Sequence, residues 1–79
     1  MSISNKIRAL IKLRGFTNKD LAAAMGVTPA SFNNKLFRDS LTTADLVRII
    51  DALGGKLTVN FPDGEQLSFT MADLDEKKH

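Results

Sequence analysis

Few side chains of this 79-residue chain have the chemistry that catalysis requires. There is no cysteine, tyrosine or tryptophan, and the single histidine is His79, at the last position. A serine or threonine nucleophile needs a base within hydrogen-bond reach, and no pattern in the sequence provides one. We therefore expect no enzymatic activity, no metal ion and no cofactor.

The polar groups between positions 28 and 38 are suited to recognition instead. Asn33 and Asn34 each carry a carboxamide, which can form two hydrogen bonds with N6 and N7 of adenine. Lys35 and Arg38 follow them and can neutralise phosphate groups. The same residue types also occur on ordinary solvated surfaces, so the interpretation depends on the elements that hold them.

One pattern, an apolar residue followed by Thr, three residues and another apolar residue, occurs three times and indicates helix starts. It begins at Phe16, Val27 and Leu41. The Thr hydroxyl can accept from a free amide of the first turn, and the apolar pair can pack as a hydrophobic staple. A first helix is indicated by apolar residues at helical spacing, ended by Gly15. The predicted helices cover residues 3–14, 17–25, 28–37 and 42–53.

From position 56 the apolar period changes from 3.6 to 2, which is typical of strands. Two strands, 56–61 and 66–71, flank the turn Pro62-Asp63-Gly64-Glu65, and this hairpin should place Val59 opposite Leu67. A lone hairpin is marginally stable at best, so its apolar face should cover the helices, a second copy of the chain, or both. The residues predicted to mediate dimerisation are Leu57, Val59, Phe61, Leu67, Phe69 and Met71.

The formal net charge of +2 conceals two halves of opposite sign. Residues 1–38 hold seven bases and one acid, a net charge of +6, whereas residues 39–79 hold four bases and eight acids, a net charge of −4. Such a division favours a polyanion as the partner of the first half. No apolar run approaches the roughly 20 residues of a membrane helix, and the N-terminus lacks the apolar core of a signal peptide. We expect a cytoplasmic protein.

The stretch from Thr17 to Leu36 resembles the helix-turn-helix of the phage repressor/Cro (XRE-type) superfamily. The resemblance covers residues 3 to about 55 and rests on Leu21-Ala22, Gly26-Val27-Thr28 and Phe32. It implies a mainly α fold, a lambda-repressor-like helical bundle, to which the alternating pattern adds the C-terminal β-hairpin. The expected organisation is a DNA-binding bundle (1–55), a hairpin in the same compact domain (56–71) that mediates dimerisation, and a flexible tail (72–79).

The resemblance also implies a function, that of a sequence-specific DNA-binding regulator, a repressor of bacterial or phage origin. Its homodimer would place the helix 28–37 of each copy in the major groove of a palindromic operator. Double-stranded DNA and a second copy would be its partners, with no membrane and no small-molecule ligand. The implied base contacts come from Thr28, Ala30, Asn33 and Asn34. The implied phosphate contacts come from Thr17, Asn18, Lys19, Lys35 and Arg38.

Three positions depart from the pattern of the superfamily. Pro29 and Ala30 are poor hydrogen-bond donors, so specificity should be centred on Asn34. Lys35 stands where many members carry an apolar residue. The alternative hypothesis is a protein-interaction module, such as an antitoxin-like partner or a degenerate regulator, that acts through the hairpin.

Overall fold

The computed structural model describes the backbone of residues 2–78 and the side chains of residues 2–74. Four α-helices are followed by two strands and a 3-10 helix. The helices are α1 (Ile3–Leu13), α2 (Asn18–Met25), α3 (Pro29–Phe37) and α4 (Thr43–Ala52). The strands β1 (Leu57–Asn60) and β2 (Gln66–Phe69) precede the 3-10 helix (Met71–Lys78). The prediction of a mainly helical chain with a C-terminal hairpin is confirmed.

Each α-helix begins at a hydroxyl side chain that accepts a hydrogen bond from the third residue after it. These cap residues are Ser2, Thr17, Thr28 and Thr42. In α2 and α4 the bond is reciprocated, because Asp20 and Asp45 each accept from the amide of the cap residue at 2.9 Å. Each predicted Thr is therefore the residue before the helix, and each helix begins one position later. A cap of this kind stabilises a helix by about 1 kcal/mol.

The hydrophobic core lies between the four helices and draws on each of them. Its buried members are Ile7, Ile11, Leu21, Ala22, Phe32, Leu36, Ile49 and Leu53. Met25 and Val27, on either side of the turn between α2 and α3, pack against this cluster. Ile3, four positions before the buried Ile7 and therefore at helical spacing from it, is exposed, whereas Ser4 is buried.

The hairpin has the register that alternation and turn chemistry predict. Leu57 pairs with Phe69 and Val59 with Leu67. The turn is closed by the amide of Gly64, which donates to the carbonyl of Phe61 at 3.0 Å. Gly64 has a φ of 97°, a left-handed conformation that glycine adopts without strain. The strands are shorter than predicted, at four residues each.

Residues 72–79 were predicted to form a flexible tail, and a helical element there was not expected. The backbone from Met71 to Lys78 forms the 3-10 helix, and His79 lies outside the described residues. At its start, the amide of Thr70 donates to a carboxylate oxygen of Asp73 at 2.7 Å. The side chain of Leu74 is half-buried, so this segment is joined to the rest of the fold at its beginning.

Candidate nucleic-acid interface

The joint between α2 and α3 is three residues long and fixes where α3 begins. Gly26 ends α2 with a φ of 74° and a ψ of 27°. The amide of Val27 then donates to the carbonyl of Ala22 at 3.0 Å, which closes the end of the helix. Thr28 caps the next helix, and Pro29 occupies its first position. An amide at this position has no acceptor within the helix, so the missing N–H of proline costs no hydrogen bond.

Helix α3 buries one side and presents the other to solvent. Phe32 and Leu36, four positions apart, are both buried in the core. The predicted base-contacting residues lie outside it and are exposed: Thr28, Ala30, Asn33 and Asn34. The structure therefore brings these four together on the exposed part of α3 and its cap. Phe37, which the sequence reasoning did not select, is also exposed near the end of α3.

A hydrogen bond connects the exposed side of α3 to the start of α2. The Asn18 side-chain amide donates from Nδ2 to Oδ1 of Asn33, at 3.0 Å. Asn18 was expected to contact phosphate and Asn33 to contact a base. The bond orients both carboxamides and leaves the Nδ2 group of Asn33 without a hydrogen-bond partner among the described residues.

A shallow groove of about 780 Å³ runs beside the start of α2. Three of the predicted phosphate-contacting residues line it, namely Thr17, Asn18 and Lys19. Arg8 and Lys12 of α1 line the same groove, and both are exposed. Sequence reasoning did not select these two residues, although their spacing of four places them on one side of a helix. The groove therefore gathers three cations beside two side chains that can hydrogen-bond an anion.

The other two predicted phosphate-contacting residues lie towards the end of α3. Arg38 is exposed immediately after the helix. Lys35 is half-buried, and its Nζ atom lies 2.9 Å from Oδ2 of Asp45 at the start of α4. A phosphate group would have to compete with this carboxylate for the Lys35 ammonium group.

Asp45 is a buried carboxylate that accepts several bonds. Oδ2 accepts from the Thr42 amide and from Lys35, each at 2.9 Å, and Oδ1 lies 3.9 Å from Nη1 of Arg48. Burial by itself would raise the pKa of Asp45, but the bonds from Thr42 and Lys35 outweigh burial, so the pKa lies below its ordinary value. No local sequence signal relates Lys35 to an acid ten positions later.

A second carboxylate, that of Asp39, joins the end of α3 to the start of α1. Its Oδ1 accepts from the Ser4 amide at 3.0 Å, and Asp39 has a φ of 55°. The nearby Ser4 hydroxyl, and then the Ser4 amide, hold the pKa of Asp39 below its ordinary value. That hydroxyl is buried and has no hydrogen-bond partner in the described part of the chain, so the amide bond is the contact that joins Ser4 to Asp39.

The predicted dimerisation residues divide into an inner and an outer group. Leu57 and Phe69 are half-buried and line a small cleft against Val47 of α4. The outer group, Val59, Phe61, Leu67 and Met71, is exposed. Phe61, just after β1, and Leu67, within β2, keep 51% and 54% of their surface accessible.

A metal site and a membrane-spanning helix each have requirements that can be compared with the described residues. Among them, no group of three or more potential metal-ligating side chains occurs. Within the same part of the chain, every helix is too short or too polar to cross a bilayer. Comparison with protein-family models, curated proteins and solved structures produced no match.

Proposed function

We propose that this protein is a sequence-specific DNA-binding regulator of the phage repressor/Cro class, a repressor that acts in the bacterial or phage-infected cytoplasm. Helices α2 and α3 would be its helix-turn-helix within a lambda-repressor-like bundle. In this class the second helix of the pair lies in the major groove, while the first crosses the DNA backbone. Helix α3, with its exposed amides, would read the bases.

The Asn18–Asn33 hydrogen bond is the observation that carries this proposal. A side chain that binds phosphate and also holds a base-reading side chain fixes the register of α3 relative to the backbone. Asn33 keeps donor capacity for a base after it accepts from Asn18. Asn34, one position further along the exposed side, is free to pair with adenine through both of its polar atoms.

The charge distribution supports the same orientation. The basic groove beside the start of α2 contains Arg8, Lys12 and Lys19, and all three belong to the half of the chain with a net charge of +6. A DNA strand that meets Asn18 would pass beside these cations. Arg38, at the far end of α3, would meet the opposite strand.

A homodimer would complete the regulator. The outer residues of the hairpin, Val59, Phe61, Leu67 and Met71, form an exposed apolar surface that a second copy could cover. Two-fold symmetry would then place two α3 helices about 34 Å apart, which matches successive major grooves on one side of a palindromic site.

Fluorescence anisotropy with pooled DNA duplexes at about 50 mM and about 200 mM salt tests the proposal. We expect binding that weakens steeply with salt, because cations of the protein displace counterions from phosphate. After selection of a preferred site, the double variant Asn33→Ala/Asn34→Ala should lose the preference but keep most of the salt dependence. Asn60→Ala, a matched change on the exposed hairpin, should alter neither. No binding at about 50 mM salt would refute the DNA-binding function.

The exposed hairpin also supports a second candidate, a protein-interaction module that is antitoxin-like or derived from a regulator. On this alternative the outer apolar residues bind a different protein rather than a second copy. Sedimentation distinguishes the two, because a chain that stays monomeric at high concentration and does not bind DNA would favour the alternative. A dimer that binds DNA would exclude it as the primary function.

A further inference from the structure

The carboxylate of Asp45 is the point at which α3 and α4 are joined by charge. It lies at the third position of α4, and its side chain is only 5% exposed. Oδ2 accepts both the Thr42 amide, which belongs to the cap of α4, and the Lys35 ammonium group, which belongs to the last turn of α3. A single oxygen atom therefore couples the start of one helix to a cation on another.

The position of Lys35 on α3 separates it from Asn33, one of the two side-chain amides that would read bases. Lys35 and Asn33 are two residues apart, so their side chains diverge by about 200° around the helix axis. Asn33 bonds to Asn18 at the start of α2, whereas Lys35 bonds to Asp45 at the start of α4. The two flanks of α3 are thus held by different neighbours. Lys35 is on the flank that carries an acid.

We propose that Asp45 withholds the Lys35 ammonium group from the DNA backbone, and that it thereby lowers the contribution of non-specific phosphate contacts to binding. This inference rests on the proposed DNA-binding function. It assigns to Asp45 the role of a positioning residue and revises the role of Lys35, which resemblance alone would make a phosphate contact.

The energetic reason lies in counterion release. The slope of log K against log salt concentration is negative, and each cation that neutralises a phosphate group makes it steeper by about 0.9, whatever the base sequence. A cation already paired with a buried carboxylate at 2.9 Å releases no DNA counterion. Withholding Lys35 therefore weakens binding to every sequence equally and leaves the contribution of Asn33 and Asn34 unchanged, so a larger share of the affinity depends on the bases.

Asp45→Asn is the main test, because it removes the negative charge and keeps an oxygen that can accept the Thr42 amide. We expect a salt slope steeper by about 0.9 per protomer and tighter binding to non-specific DNA. Lys35→Met in the otherwise unchanged protein should leave the slope at its original value. The double variant Asp45→Asn/Lys35→Met should also return to that value. Lys19→Met, in the basic groove, should make the slope shallower, and Lys56→Met, at the start of the hairpin, should not change it.

The result that overturns the inference is a slope that falls by about 0.9 in Lys35→Met alone, because Lys35 would then contact phosphate in the normal complex. An unchanged slope in a folded Asp45→Asn variant would overturn it as well. If Asp45→Asn does not fold, Lys35→Met still gives a decisive result, because Lys35 is half-exposed and Asp45 keeps the Thr42 amide at 2.9 Å and Arg48 at 3.9 Å as partners.

A measurement without DNA separates this inference from the proposed function. Acylation of lysine amines, followed residue by residue with mass spectrometry, should be several-fold faster at Lys35 in Asp45→Asn than in the unchanged protein, with Lys56 as the internal reference. Equal rates would show that Asp45 does not restrain Lys35. Absence of DNA binding by the unchanged protein, combined with faster acylation, would instead overturn the regulatory role while the ion pair stands.

Discussion

Replacing Gly26 by Ala should destabilise the protein by strain in the backbone alone. Gly26 has a φ of 74°, and a Cβ atom built there would meet nothing within 4 Å. No steric clash therefore adds to the cost of the left-handed conformation, which is about 1–2 kcal/mol for a residue with a Cβ. The alanine also restricts the unfolded chain, which offsets about 0.4–1 kcal/mol. The expected net loss is about 1 kcal/mol.

Thermal unfolding followed by circular dichroism measures this loss. For a domain of this size, about 1 kcal/mol corresponds to a fall in Tm of about 4–8 °C. Gly26→Asn should lower the Tm less, because asparagine tolerates the left-handed region. Gly64→Ala is the matched control, since its φ is 97° and its surroundings are equally open. It should cause a similar loss of stability.

The two glycine variants should differ in DNA binding. Gly26 lies in the joint that orients α3. If the backbone moves to relieve the strain that the alanine introduces, the side-chain amides of Asn33 and Asn34 shift relative to Asn18. Gly64 lies in the hairpin turn, away from the proposed interface. We therefore expect Gly26→Ala to bind the preferred DNA site more weakly. The affinity of each Gly64→Ala protomer for DNA should be unchanged. Equal Tm values for Gly26→Ala and the unchanged protein, or equal losses for the alanine and asparagine variants, would refute the reasoning.

Further predictions concern pH, the core, the groove and the hairpin. The pKa of Asp45 is lowered in the folded state, so its contribution to stability is complete above the ordinary carboxyl pKa, near 4, and is lost as the pH falls through the lower folded value. Urea unfolding across this pH range should show the loss of stability, and that loss should be smaller in Asp45→Asn. Phe32→Ala, at a residue with no exposed surface, should cost about 3–5 kcal/mol in the same assay. The double variant Arg8→Ala/Lys12→Ala should make the salt slope of DNA binding shallower by up to about 1.8, and an unchanged slope would exclude the groove from the DNA path. Leu67→Glu should convert the proposed dimer to a monomer in sedimentation while the circular dichroism spectrum is retained, since Leu67 is exposed within one chain; a dimer that persists in the variant would exclude this surface as the dimer interface.

The helix starts and the hairpin register could be predicted because the chemistry that fixes them is local. At a helix start, the Thr hydroxyl and the amide that donates to it are only three residues apart. The acid that accepts from the amide of the Thr lies at the same distance, so both partners can be recognised in the sequence. Alternation and the turn around Gly64 likewise determine which residues face each other. In both cases all the interacting groups are near one another in the sequence.

Other features could not be predicted because they depend on how elements meet. The Lys35–Asp45 ion pair exists only because α3 and α4 lie side by side, and it changes the surroundings of a cation that resemblance would assign to DNA. Alternation placed all six apolar hairpin residues on one face but could not show that α4 covers only its inner part. The polar segment after Thr70 has no apolar period, so the 3-10 helix left no recognisable pattern.

The hydrogen bond between Ser4 and Asp39 makes one backbone amide sensitive to the contact between α1 and the end of α3. The first amides of a helix normally lack partners within the helix and exchange with solvent readily. The Ser4 amide instead donates to a carboxylate 35 positions further along, beyond the end of α3. Hydrogen exchange at this amide therefore requires that α1 separate from the end of α3 or that the Asp39 side chain rotate away from it. Slow hydrogen exchange at the Ser4 amide would therefore show that the start of α1 remains in contact with the end of α3.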